Sequence, residues 1–379
     1  MRLKFIKQLI LLLLPCLLIC LVGCRDEVKE PEYVIKKYSY YGYLNTNSSV
    51  KIQFDKNTIS EEEMKIKMNN VDKILVDIEK DFSMKKTIFM DRPSLLMQVN
   101  ANSGKLDENN NLVFTKVNKK FMNMLKTAIE VSELLDGSFD VTVGPLTRLW
   151  NISGQVGYDS MFVKIPTAEQ VEEAKALVNY KNILIDEENM QVCLPIAGME
   201  IDFGAIAKGY AADYVLEYMK TLPIEVALID LGGNIYTYGS SPTTSQSIGI
   251  RNPFYNNDTT QVYQLMSADI RDISIVTSGT YERYVVKDGV TYHHLLNPKT
   301  GYPFDNEMYC VTIIGKSSMY CDAIATGIYG LGLEEGINMI NQIDGYSAIF
   351  ITTDKKVYLT KGLNFVPTEG TDDFTFIYS

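Results

Sequence analysis

Histidine is nearly absent from this 379-residue chain: there are two, His293 and His294, and they are neighbours. Such a pair supplies neither an H-E-x-x-H helix nor a Cys2His2 set, so zinc sites of those kinds are excluded. Positive charge is also short, with 36 Lys and Arg against 47 Asp and Glu and a formal net charge of −11. A general binder of the nucleic-acid backbone needs a basic face, which this balance argues against. Phosphate-loop signatures are missing too. No G-x-G-x-x-G occurs, and G-K-S at 315–317 lacks a Walker A start because Cys310 holds the glycine position. No G-x-S-x-G elbow is present. What remains for chemistry is carboxylates, hydroxyls, backbone groups and one imidazole pair. Apolar content of 46% excludes both a disordered tail and a multi-pass membrane protein, and the length suffices for a large core.

The first 23 residues stand apart. Arg2, Lys4 and Lys7 precede an apolar run at 9–22 broken only by Pro15, the pattern of an export signal. The run ends L-V-G-C at 21–24, which resembles a bacterial lipoprotein cleavage site with Cys24 as the lipidated residue. An ordinary signal or an uncleaved anchor is the alternative. Cleavage before Cys24 removes three positive residues and no acid, taking the formal charge from −11 to −14. Of six cysteines, Cys16 and Cys20 leave with the signal and Cys24 takes the lipid. Cys193, Cys310 and Cys321 remain in apolar surroundings and read as small buried hydrophobes, not a disulfide framework. The expected division is a signal at 1–23, a polar tether at 24–37, and one domain at 38–379.

Within that domain, alternation at 50–54 marks a strand. Ser60 with Glu63 forms a capping box, followed by Met64, Met68, Val71, Ile74, Leu75 and Ile78 at helical spacing. Further helices are expected at 118–135, from Thr167 with box partner Gln170 to about 178, at 207–219 and at 322–329. Strands are expected at 183–185, 225–229, 274–277, 310–314 and 348–352. The mixture lacks strict alternation, which favours an α+β class over a doubly wound sheet.

Four segments concentrate Gly, Asp and hydroxyl residues. D-G-S-F-D at 136–140 suggests a helix stop at Gly137, with Asp140 either facing a ligand or closing a loop. E-I-D-F-G-A-I-A-K-G-Y at 200–210 reads as a strand ending at Asp202 and a helix starting around Ala205 to Ala207. Its free N–H groups and Lys208 suit an anion; a solvated lysine on a capped helix is the bland alternative. The Gly232-Gly233 turn is explained equally by positive φ or by close approach of a ligand. The fourth segment places His293 and His294 before N-P-K-T-G-Y-P, then D-A-I-A-T at 322–326. Asp322 and Thr326, at i and i+4, share a helix face, and such oxygen ligands suit Mg2+. Otherwise Asp322 is a solvated surface carboxylate of little weight in folding, and Thr326 bonds back to its helix.

In this order the segments resemble the FAD:protein FMN transferases, the ApbE-type flavin transferases. The family patterns D-G-x-F-D…G-P, D-x-G-x-x-A-K-G-Y, L-G-G, S-G-x-Y-E-R…H-H-x-x-[DN]-P-x-T-G-x-P and D-A-x-x-T stand here at 136–145, 202–210, 231–233, 278–303 and 322–326. The family tends to have Met-Gly-Thr near the first strand and Leu-Ser-Thr-Tyr after the first helix. Leu44-Asn45-Thr46 and Phe82-Ser83-Met84-Lys85 stand there instead, and Lys85 removes a stacking surface.

The resemblance implies cleavage of FAD with Mg2+ and attachment of FMN to a Thr or Ser hydroxyl of an extracytoplasmic acceptor flavoprotein, with release of AMP. It implies Mg2+ on Asp322, Thr326 and the Ala205 carbonyl. FAD would be lined by Leu44, Ser138, Phe139, Asp140, Asp202, Lys208 and the Leu295 backbone. His294 is the expected acid–base or phosphate-contacting residue and His293 the second choice, since an ordinary imidazole pKa near ~6.5 permits proton transfer at neutral pH. A Mg2+-dependent FAD pyrophosphatase and a non-enzymatic flavin-binding lipoprotein are the competing readings. The expected location is the outer face of the cell membrane, by lipid anchor.

Overall fold

Strand alternation builds a nine-stranded sheet in which spatial order follows chain order. The computed structural model describes residues 30–241, 243, 247–255 and 261–378. The strands are β1 Tyr33–Tyr41, β2 Asn47–Asp55, β3 Val226–Leu231, β4 Asn234–Gly239, β5 Ile273–Gly279, β6 Met308–Gly315, β7 Ser347–Thr352, β8 Lys356–Leu359 and β9 Thr375–Tyr378. Neighbours are antiparallel except β8 and β9, which pair in parallel. Every excursion of the chain therefore returns to the edge it left, and two of them carry most of the motif residues.

The central strands are buried on both faces, and the period of two sorts their side chains. Val276, Val311, Ile313, Ala348 and Phe350 face a helical layer, while Ile275, Cys310, Ile314, Ile349 and Ile351 face a second core. That second core is closed by a three-stranded sheet of Ser247–Arg251, Gln264–Asp269 and Val366–Pro367. The helical layer comprises α1 Glu61–Phe82, α2 Lys119–Leu134, α4 Ala207–Met219, α5 Ser318–Leu331 and α6 Leu333–Ile340, while α3 Ala168–Lys175 packs through Val171 in a separate cluster with Leu146 and Trp150. Helix α1 opens on the expected capping box of Ser60 and Glu63, and Met64, Met68, Val71, Leu75, Ile78 and Phe82 bury one face. The Thr167–Gln170 box likewise opens α3. This is the expected α+β class. Cys193, Cys310 and Cys321 are free and buried.

The structure departs from expectation in four places. The tether expected over 24–37 already joins the sheet at Tyr33, because Val34, Tyr38 and Tyr40 turn inward along β1 and pair against β2. The 322–329 helix begins at Ser318, where Ser317 accepts a hydrogen bond from the Tyr320 amide. The strand expected before Asp202 is only a bridge between Val143 and Glu200, and the α3 helix stops at Lys175. The signal and Cys24 lie outside the described residues. Among the described residues no helix is long and apolar enough to cross a membrane.

Candidate active site

Lys208 occupies the first turn of α4 and is half-buried. Its Nζ donates to Asn234 Oδ1 at 2.8 Å and approaches Asp322 Oδ1 at 3.3 Å. Asp322 is 3% exposed, so the surface position expected for it is overturned. Its Oδ2 accepts from the Gly209 amide at 2.9 Å. That amide therefore serves Asp322 where a regular helix would direct it at the Ala205 carbonyl four residues back, and α4 proper starts only at Ala207.

Two features of α4 hold α5 in this register. A Cβ on Gly209 would lie 2.1 Å from the Ser318 carbonyl oxygen, so only glycine permits the crossing. One turn further, Asp213 accepts from Ser317 Oγ and from the Ser318 and Met319 amides, capping α5 from outside. Burial pushes the Asp213 carboxyl up while those three bonds oppose the rise. Thr326, one turn after Asp322, lies 3.5 Å from Ser278 Oγ at the end of β5.

Asn234 opens β4 directly after the Gly232-Gly233 turn, whose two positive φ values, 64° and 90°, give the tight hairpin joining β3 and β4. Gly232 also meets a close neighbour: a Cβ there would lie 2.2 Å from Thr46 Oγ1. Positive φ accounts for both glycines, and the close neighbour at Gly232 is the Thr46 side chain. Asn234 is buried, and its Nδ2 has no hydrogen-bond partner among the described residues.

Above this cluster lies a cleft of about 510 Å3 lined by Gly42, Asn45, Thr46, Asn47, Gly232, Glu282 and Arg283. The β1–β2 loop, the paired-glycine turn and the S-G-T-Y-E-R segment thus meet on one wall. A larger cavity, about 770 Å3, lies between residues 163–170 and the tip of the Tyr284–Lys287/Val290–His293 hairpin, away from Lys208 and Asp322.

The histidines part at the base of that hairpin, as alternation requires. His293 enters the core, its Nε2 donating to the Phe304 carbonyl at 2.9 Å and its ring meeting Tyr329 edge-on. His294 turns toward Lys208 and Arg283. Its Nδ1 lies 3.1 Å from the Arg283 carbonyl, and since a carbonyl only accepts, Nδ1 carries the proton and Nε2 keeps its lone pair. Burial, then the Arg283 charge, hold its pKa down at about 3. The ordinary imidazole expected here is therefore replaced by one neutral throughout the physiological range. His293 is lowered as well, again by burial.

Of the 136–140 segment, Ser138 Oγ donates to the Gly327 carbonyl beside Thr326, and Phe139 packs against Gly327. Asp140, expected to face FAD, does not present a free carboxylate. Oδ1 accepts from the Thr142 amide and hydroxyl and Oδ2 from the Tyr180 amide, an Asx turn that fixes the loop. Asp202 is half-buried and receives the Gly204 amide at 2.7 Å. The Leu295 carbonyl is taken by the Phe304 amide. Leu44 lies in the β1–β2 loop beside the cleft. Asn234 and Arg283 were not singled out from the sequence, although both lie in or beside motif segments.

The oxygens near Lys208 suit a hard divalent cation: the Asp322 carboxylate, the Thr326 hydroxyl and the Ala205 carbonyl that Gly209 leaves available. Among the described residues no cluster of three His, Cys, Asp or Glu is present, so such an ion would rest on one carboxylate and neutral oxygens.

An α+β scaffold here gathers a lysine, a buried carboxylate and a neutral imidazole close to one another, a set of groups that suits an anionic phosphoester. The chain belongs to the ApbE family, whose model matches residues 44–350. It is 37% identical over 255 residues to the FAD:protein FMN transferase of Klebsiella pneumoniae (strain 342), covering 67% of this chain and 76% of that one. The FAD:protein FMN transferase of Treponema pallidum (strain Nichols) is 32% identical over 261 residues, 65% and 69% of the two chains. The flavin transferase ApbE of Vibrio cholerae superposes with a TM-score of 0.70 over 91% of this chain and all of that one, at 23% identity.

Proposed function

We propose that this chain transfers FMN from FAD to a Ser or Thr hydroxyl of a protein acceptor and releases AMP. The observation that carries the reading is the Lys208–Asp322–Asn234 cluster beneath a cleft that also receives Arg283 and lies beside His294. In the transfer, the acceptor oxygen forms a bond to the FMN phosphorus while the bond from that phosphorus to the bridging oxygen breaks. The electron pair leaves with AMP. Nδ1–H bonding to the Arg283 carbonyl leaves the His294 Nε2 lone pair free to take the hydroxyl proton, and the negative charge of the bound pyrophosphate favours the imidazolium that burial and Arg283 otherwise oppose. Lys208 and Arg283 offset the pyrophosphate charge, and positioning does most of the work in such transfers. A Mg2+ on Asp322, Thr326 and the Ala205 carbonyl would add neutralisation of the phosphate oxygens.

Incubating the mature protein with FAD, Mg2+ and a candidate acceptor domain tests this directly. Covalent in-gel flavin fluorescence on the acceptor is expected. AMP and FMN without a labelled acceptor would mean that water replaces the hydroxyl and the chain is a pyrophosphatase. The signal pattern and L-V-G-C at 21–24 support a lipid tether at Cys24 on the outer face of the membrane, and hence an acceptor outside the cytoplasm.

A further inference from the structure

The loop between β1 and β2 forms a wall of the cleft and is held in an unfavourable shape. Gly42, Leu44 and Asn45 have φ of 83°, 50° and 54°. Glycine adopts the left-handed region freely, whereas a leucine followed by an asparagine does so at a cost that the surroundings must offset. The surroundings here are specific. Glu79, in the last turn of α1 and 2% exposed, accepts the Leu44 amide on Oε1 at 2.5 Å, and its Oε2 has no hydrogen-bond partner among the described residues. Tyr43, the residue before, donates to Asp72 and stacks on Phe89.

A buried carboxylate at the C-terminal end of a helix is doubly unfavourable, by desolvation and by the helix dipole. Packing alone would be better served by an apolar side chain. We infer that Glu79 is a positioning residue for the flavin: it clamps Leu44 so that Asn45 and Thr46 line the cleft together with Glu282 and Arg283. This rests on the proposed FAD site. Thr46 lies directly against Gly232, so any relaxation of Leu44–Asn45 moves the wall that carries the paired-glycine turn.

The test uses Glu79→Leu, Glu79→Asp and Glu79→Gln in the mature protein. Leucine removes the acceptor, aspartate shortens its reach, and glutamine keeps an oxygen at the same place. Loss of one hydrogen bond to a charged acceptor should raise KM for FAD about tenfold in the first two, with kcat changed less than about twofold. Glu79→Gln should recover most of that loss. Hydrogen exchange at the Leu44 amide should be fast in the first two variants and slow in wild type.

Unchanged Leu44 exchange in both Glu79→Leu and Glu79→Asp would overturn the clamp. Faster exchange with an unchanged KM, or a fall in activity that only follows the melting temperature, would overturn the positioning role. A wild type that neither binds nor turns over FAD would instead overturn the reading of the cleft, and with it the flavin role. Leu44 exchange would still show whether Glu79 holds the loop.

Discussion

His294 and His293 are adjacent in sequence yet sit in different environments, and their substitutions should separate accordingly. His294→Ala removes the Nε2 lone pair beside Lys208 and should slow the chemical step by ~10²–10⁴-fold, with FAD binding retained in single-turnover measurements. His293→Ala strands the Phe304 carbonyl and leaves a core void, costing about 2–4 kcal/mol in urea titrations while folded enzyme keeps its activity. The depressed His294 pKa also fixes a pH dependence. Unfolded His294 takes up a proton as pH falls through about 6.5, whereas the folded residue stays neutral until about 3. Acidification across that window therefore favours the unfolded chain, by up to about 1.4 kcal/mol per pH unit. Urea midpoints at pH 7 and pH 5 should differ less in His294→Gln than in wild type, and wild-type turnover should show no acid limb near pH 6.5. At Asp322, substitution by alanine should abolish turnover and also destabilise the protein by about 3–5 kcal/mol, because Lys208 and the Gly209 amide lose their shared partner. Chemical denaturation of Asp322→Ala and Asp322→Asn checks this: if alanine costs under about 1 kcal/mol, Asp322 is not the buried anchor described.

Among the elements, the pairing of α4 with α5 decides where the charged groups meet. Gly209 and Asp213 lie one turn apart on the same face of α4, the first by having no side chain and the second by capping α5. Gly209→Ala should gain about 1 kcal/mol of helix propensity and lose more, because its Cβ meets the Ser318 carbonyl. The expected net is about 1–3 kcal/mol of destabilisation, together with weaker FAD turnover as Lys208 and Asp322 separate. Thermal melting and FAD kinetics on this one variant measure both effects; a stabilised variant with full activity would show that the crossing is not tight. The hairpin at Tyr284–Lys287/Val290–His293 acts similarly, since its two-residue period sends His293 inward and brings His294 to the site.

For the molecule as a whole, a formal charge of −11 is compatible with an anionic substrate if the local balance differs: Arg283 lines the cleft beside Glu282, and Lys208 lies next to Asn234 just after the paired-glycine turn that also lines it. Tethering belongs to the same scale. If Cys24 is lipidated, a palmitate analogue should label wild type and not Cys24→Ala, and the wild type should sediment with membranes. More than one acyl chain is expected, because a single chain gives only marginal membrane binding. Equal labelling of both forms would sink this. Because β1 starts at Tyr33, the span between Cys24 and the sheet is shorter than a tether reaching residue 37 would be.

Much of the fold was legible from sequence because its signals are local. The Ser60–Glu63 and Thr167–Gln170 boxes, the helical stripe from Met64 to Ile78 and the stop at Gly137 each depend on residues a few positions apart. The motif order likewise identified the family, and the placement of Lys208, Asp322 and Thr326 near one another agrees with that order. The partners of those residues lay beyond such reasoning. That Asp322 is buried, that Asp140 serves Thr142 and Tyr180, and that Glu79 reaches Leu44 depend on groups brought together across the fold. So does the neutrality of His294: its pKa follows from burial and from Arg283 eleven residues away, where no local pattern records desolvation. Local sequence determined the elements and the chemical types available; the packing of α4 on α5 and of the hairpin on the sheet decided which groups meet and in what charge state.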